Sequence, residues 1–365
     1  MFVALRDLRF ARGRFTLIGS VVLLITLLVG FLGGLTQGLA NANISALTPF
    51  QADRVVLAQP QQGNRLNFID SRLSQASATA WSSARGITAV EPLGITVSKV
   101  SAADNREATV SLFGVEESFN TISPDQTVPT RTGTLVLSKR AEAALRAKPG
   151  EKVSVFGHEF TVAAVSGSAE FSHTGVIWMS LSDWRDIVAQ QTAKAARFAT
   201  ALAVQAESST DFAALDTQAH TTSSPLLLSL MAIESFKSEI GSLATMLALL
   251  LGISALVIGA FFTVWTIQRS GDIAVLKALG ASTASLVRDA LGQALVILVI
   301  GVGLGIGITA ATGAVLPAAV PFVVSPLTTI LPAVAMVGLG LVGAAFALRS
   351  VIKTDPLTAL NGQNN

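Results

Sequence analysis

Cysteine and tyrosine are both missing from this sequence of 365 residues, and only three histidines and five methionines occur. Without cysteine there is no disulfide, thiolate nucleophile or cysteine-held metal, so any part of the chain outside the cytoplasm stands on its packed core alone. Charge is scarce as well. Charged residues make up 13% of the chain against 51% hydrophobic ones, with a mean hydropathy of +0.60. That balance describes a membrane protein with a sizeable polar part. There is no G-x-x-x-x-G-K-[ST] phosphate loop, so the chain is not by itself an ATPase of that kind, and neither H-E-x-x-H nor G-x-S-x-G occurs. His158, His173 and His220 are scattered and read as surface or turn residues, not ligands. No ionisable residue stands midway along any long apolar run, which argues against a carrier coupled to protons or sodium through buried carboxylates. The energy must come from elsewhere.

What is present is organised around residues 240–289. The block IGSLATMLALLLGISALVIGAFFTVWTI carries no charge between Glu239 and Arg269. Its helical length of about 42 Å spans a bilayer core with tilt to spare. RSGDIAVLKALGAS follows, a basic amphipathic connector in which Ile273, Leu276 and Leu279 fall near one helical face while Arg269, Asp272 and Lys277 can stay wet. That apolar face has neither lipid nor core to cover it and needs a partner at the cytoplasmic surface.

Basic residues mark the short segments: Arg6, Arg9, Arg12 and Arg14 at the start, Arg269, Lys277 and Arg288 in the connector, Arg349 and Lys353 in the tail. Short basic segments stay in the cytoplasm, which places both termini there. The fold expected is a membrane protein with four transmembrane α-helices and one large extracytoplasmic α+β domain between the first two. The boundaries read as a cytoplasmic amphipathic helix at 1–15, transmembrane helices at 16–42, 236–268, 290–316 and 327–350, the outer domain at 43–235, a coupling loop at 269–289, an outer turn at 317–326 and a cytoplasmic tail at 351–365. The Ala40-Asn41-Ala42 pattern invites a leader-peptide reading, but the first run is longer than the 7–15 residues of a leader's apolar core and is expected to be retained. Gly30, Gly34 and Gly38 form a small-residue stripe, expected to pack near Gly252 and Gly259 of the second span, within or between protomers, unless it merely faces lipid.

In the outer segment, ADRVVLAQ, ITAVEPLGITVSKV, REATVSLFGV and RFATALAVQ alternate as strands do, while FIDSRLSQASATAWSSAR and STDFAALDTQAH read as helices. A short helix from Ser138, a hairpin at Gly157-His158 and a Ser182-capped helix complete it. Acidic and basic residues nearly balance there, so no nucleic-acid partner is implied.

RSGDIAVLKALGASTASLVRDAL strongly resembles the cytoplasmic loop of FtsX/MacB-type (type VII) ABC permeases, in which an arginine, an acidic residue and an isoleucine lead into LKALGAS. The matching positions are Arg269, Asp272, Ile273, Leu276, Lys277, Ala278, Leu279, Gly280, Ala281 and Ser282, with Asp272 where the family more often has glutamate. GEKVSVFGHEFTVAAVSG resembles the family's outer-domain hairpin and TDPLTALNG its tail. VIWMSLSDWRDI and the chain length are similar to the DevC-like branch, and most of all to the permeases of heme exporters. The resemblance implies a homodimer in the plasma membrane with two copies of a separate cytoplasmic ATPase, which holds ATP and magnesium. It implies no resident cofactor, heme as the substrate, and expulsion from the membrane without a channel. Transmembrane signalling to cell-wall hydrolases and release of lipoproteins are the other activities such permeases carry.

Heme iron accepts His, Met, Cys or Tyr, and occasionally carboxylate. SLMAIESFKSEIG sets Met231, Glu234 and Lys237 three apart, near one helical face at the outer end of the second span, with Phe236 beside them and Asn41 and Asn43 ending the first span. Two readings stay open. Glu234 and Lys237 form an interfacial ion pair worth a few tenths of a kcal/mol, or Glu234 or Met231 meets iron and Lys237 a propionate, with Phe236 and Asn43 lining the site. His173 is the next candidate.

Overall fold

The computed structural model describes residues 12–60, 63–124, 127–129, 131–191, 197–268, 271, 275, 277, 279–317 and 320–352. They divide into two compact units: Leu39–Ile240, and the chain on either side of it.

The outer unit is built on ten strands: β1 (Arg54–Ala58), β2 (Ile87–Ala102), β3 (Glu107–Val115), β4 (Thr134–Leu137), β5 (Lys152–Val155), β6 (His158–Val165), β7 (Glu170–Phe171), β8 (Thr174–Ser180), β9 (Ala201–Ala206) and β10 (Thr221–Pro225). Their order is β10-β1-β9-β2-β3-β8-β4-β6-β5, with β7 on β8. The 16-residue β2 serves two sheets. Its first half pairs with β9 and its second with β3, and Val100–Ala102 also meets β5, closing a ring of six strands. The changeover falls at Gly94, which faces Gly114 across the β2–β3 ladder. Both lie under Trp184, and a Cβ on either would strike its side chain. Glycine is required there by that close approach. The Ile95 N–H, at the same point, donates to the Thr200 hydroxyl at 2.9 Å, so no donor is stranded.

Short helices cover the sheets. Taking Arg12–Ile44 as α1, they are α2 (Gln75–Ser82), α3 (Lys139–Leu145), α4 (Leu181–Gln191) and α5 (Phe212–Ala219). Ser74, Ser138 and Asp211 accept N–H groups of the first turns of α2, α3 and α5. The cap of α4 is not Ser182, as the sequence suggested, but Ser180, whose hydroxyl accepts the Asp183 N–H at 3.0 Å. The core is aromatic: Phe113 sits 5.1 Å from Trp178 and 5.5 Å from Phe171, and Phe50 and Phe119 meet edge to face. Each such ring contributes about 1.5–3 kcal/mol by burial.

The second unit holds the apolar helices. Thr16–Ile44 within α1, α6 (Glu234–Gln268), α7 (Thr283–Val315) and Pro326–Leu348 within α8 (Pro326–Ile352) are long and apolar enough to cross a bilayer. Glycine sets which of them touch. A Cβ at Gly301 would meet Val22, one at Gly305 would meet Thr26, and one at Gly30 would lie 2.7 Å from the Thr309 hydroxyl. The α1–α7 crossing is therefore zipped by small residues, as membrane helices that gain little from apolar burial require. Gly34 faces Phe322 and Gly38 the Pro321 carbonyl, in the turn before α8. Within one protomer, the expected contact of this stripe with the second span is thus corrected. Gly252 faces open space and Gly259 meets Gly343 of α8.

Candidate functional site

The polar centre of the outer unit begins with a turn. Phe171 pairs with Thr174, leaving Ser172 and His173 as a two-residue connection between β7 and β8. Both have positive φ, 49° and 63°. A type I′ hairpin demands this, and side-chain-bearing residues adopt it at about 1–2 kcal/mol each. The end of α1 compensates. Its last carbonyls lack helical partners; that of Ala42 accepts the His173 N–H at 2.9 Å and that of Asn43 the Ser172 N–H at 3.1 Å.

Side chains then converge on the same spot. Asn43 is wholly buried. Its amide nitrogen lies 3.1 Å from the Leu39 carbonyl and 3.0 Å from Glu239 Oε2. Its side-chain oxygen accepts the Ser235 hydroxyl, which also lies 3.0 Å from Ser172 Oγ. His173 Nε2 is 2.6 Å from Glu239 Oε1 and 2.9 Å from the Asn43 nitrogen. The Asn43 nitrogen has two hydrogens for three neighbours, and the 2.6 Å approach of His173 Nε2 to Glu239 is met by a proton on Nε2, donated to Glu239. This histidine–carboxylate pair, each side chain 31% exposed, seats a charge at the head of an apolar helix without leaving it bare. Nearby, burial pushes the Glu170 carboxyl up, opposed by Arg140 and more weakly by His173.

The residues singled out from the sequence separate into two groups. Asn43 joins the network just described, and Phe236 is buried in the outer unit's core beside Ala232 and Ile233. Met231, Glu234 and Lys237 are exposed. They do not share a helical face as expected: Met231 lies in a 3-10 turn, Leu230–Ala232, and Ile233 is extended (φ −86°, ψ 109°) before α6 begins at Glu234. Glu234 instead lines a cleft with residues 58–60, 63–67 and 70–72. Among the described residues no group of three His, Asp or Glu could hold a metal ion. Sequence reasoning missed Glu239, Ser235 and Ser172. The available signal was Glu239 itself, the carboxylate that bounds the charge-free block 240–268.

In the connector, Arg269, Asp272, Ile273 and Leu276 lie outside the described residues, as do positions 1–11. Lys277 and Leu279 are described. Leu279 is 79% exposed and Val275 55%, Gly280 ends the turn at φ +92°, and Ser282 caps α7.

Comparison with known proteins gives two family matches, an FtsX-like permease C-terminal region over residues 244–356 and a MacB-like periplasmic core domain over 17–221. A protein of Staphylococcus epidermidis bearing the provisional name hemin transport system permease protein HrtB is 25% identical over 364 residues, covering 99% of both chains. Its namesake in Staphylococcus haemolyticus is 25% identical over 371 residues, again with 99% of each covered. Among solved structures, the periplasmic region of MacB from Actinobacillus actinomycetemcomitans is 13% identical with a TM-score of 0.37, covering 52% of this chain and 97% of that one. The extracellular domain of the noncanonic ABC-type transporter YknZ from Gram-positive bacteria is 12% identical with a TM-score of 0.34, covering 45% and 89%.

Proposed function

The chain belongs to the FtsX/MacB family of ABC-transporter permeases, and from that premise we propose that it exports heme from the membrane. Such a permease is a multi-pass membrane protein that works with a partner ATPase. The observation that carries the heme reading is the end-to-end similarity to relatives named for hemin transport, unbroken over 99% of each chain. In this reading two copies of the chain carry two ATPase subunits, both termini face the cytoplasm, and ATP with magnesium is held by the partner. The exposed Leu279 supports the connector as a docking site, because a bare leucine on a basic loop gains from an apolar socket. The spans support a mechanical role. They offer no ionisable residue at mid-depth, so the substrate leaves from the membrane's outer side and is not drawn through a polar pore.

Toward heme, Glu234 or Met231 serves as the iron ligand and Lys237 faces a propionate. Phe236 and Asn43 act behind them, one anchoring the start of α6 in the core and the other fixing the last turn of α1. The test is an absorbance titration of the purified protein with hemin, paired with growth on toxic hemin. Saturable binding with a shifted Soret band is expected, weakened about tenfold by Glu234→Ala if the carboxylate holds iron, or by Met231→Ala if the thioether does. A wild-type protein without saturable hemin binding would overturn the reading. Stimulation of a cell-wall hydrolase in its place would favour a signalling transmitter.

A further inference from the structure

We infer that the cleft beside Glu234 seats the carboxylates of the exported substrate, with Arg65 and Arg72 as the cations that hold them. This rests on the heme reading and adds a second contact region to it. The cleft encloses about 760 Å³ and its lining includes Gln59, Asn64, Arg65, Asp70, Arg72 and Glu234. That volume suits a drug-sized ligand, but sites that enclose an apolar body are lined mostly by apolar and aromatic groups. This lining is mostly polar, so it fits a ligand's charged edge better than its ring.

The charges are uncommitted. Among the described residues neither Arg65 nor Arg72 makes an ion pair, and both are exposed. A third guanidinium lies near Arg72, behind the lining: Arg197 donates from Nη1 to the Ile69 carbonyl at 3.1 Å. Burial lowers its pKa, the nearby charge of Arg72 lowers it further, and Asp70 opposes. The lining itself carries two arginines, Arg65 and Arg72, and two carboxylates, Asp70 and Glu234, and Arg197 adds a further positive charge beside Arg72 and Asp70. Like charges left close and unpaired are relieved by an incoming anion, and the planar arginine fork matches a carboxylate with two parallel hydrogen bonds. Two hydrogen bonds also tie the described residues of the lining together before any ligand arrives. The Ser71 hydroxyl accepts the Ala58 N–H at 2.9 Å and Asn67 Oδ1 the Ile69 N–H at 2.7 Å, which lessens the ordering cost of binding. Glu234 stands where the iron-side contacts and the carboxylate-side contacts adjoin.

The experiment titrates the full-length chain in lipid nanodiscs with hemin and with hemin dimethyl ester, which keeps the ring and iron but has no free carboxylate. Wild type is compared with Arg65→Gln, Arg72→Gln and the double variant. We expect the double variant to bind hemin about tenfold or more weakly, as loss of charge-assisted bonds implies, and to bind the ester as wild type does. Non-additivity between esterification and the double substitution is the signature a merely destabilised protein would not show. Equal hemin affinity in wild type and the double variant would overturn the cleft assignment and leave the heme reading intact, as would equal weakening of hemin and ester. If wild-type protein binds neither ligand, the heme reading itself fails and this assignment with it.

Discussion

Glu91 shows how a single residue sets a pH dependence here. It lies on β2, buried, with its carboxylate accepting the Ser118 hydroxyl at 2.9 Å. Burial pushes its pKa up, the Ser118 bond opposes, and Glu116 pushes the same way as burial. The folded state therefore binds this proton more tightly than the unfolded one. Its contribution is most favourable below the ordinary carboxylate range and is lost as pH rises through that range toward the raised value. Glu91→Gln keeps an oxygen for Ser118 and removes the charge. It should raise the melting temperature at pH 7 by roughly 2–4 °C, on the order of 1 kcal/mol. The gain should vanish in acid, and a gain of equal size at both pH values would contradict the account. At this scale the sequence was least readable. Asn43 stood out as polar at a span's end, but its partners His173 and Glu239 lie 130 and 196 residues away, where no periodicity reaches.

Among elements, the apolar helices were the most legible, because a run of that length has few other uses. The β7–β8 hairpin was not. Its Ser172-His173 turn lacks the Asn-Gly or Asp-Gly signature that usually betrays such a connection, and β7 is two residues long. The choice of helix partners was also hidden, since the glycine stripe is visible in sequence while the side chain that fills it is not. Gly38→Ala drives a Cβ into the Pro321 carbonyl, a backbone atom that cannot swing aside. We expect destabilisation of about 1–3 kcal/mol, the usual cost of overpacking. Gly252→Ala, facing open space in the same chain, should leave stability unchanged or slightly raised. Thermal unfolding of both variants in one detergent decides the matter, and similar melting temperatures would remove the turn before α8 as the partner of the stripe.

For the whole molecule, the family came through because the connector's sequence and the four-span plan point the same way. The substrate was legible only through resemblance, because no periodicity or spacing in the chain marks a heme site. The coupling role can be tested without knowing the substrate. Leu279→Asp should leave the chain folded, its side chain already being 79% exposed, yet cost co-purification of the ATPase or uncouple hydrolysis from export. Intact assembly with full export would refute it, and Leu276→Asp offers a second probe of the same loop. The doubled use of β2 carries a consequence for how such a chain can drift over generations. A strand alternates its faces residue by residue, so one inserted or deleted residue near Gly94 would turn half of β2 inside out against either β9 or β3. Length changes should be confined to the connections around it, such as 103–106, while β2 keeps its count even as its letters change.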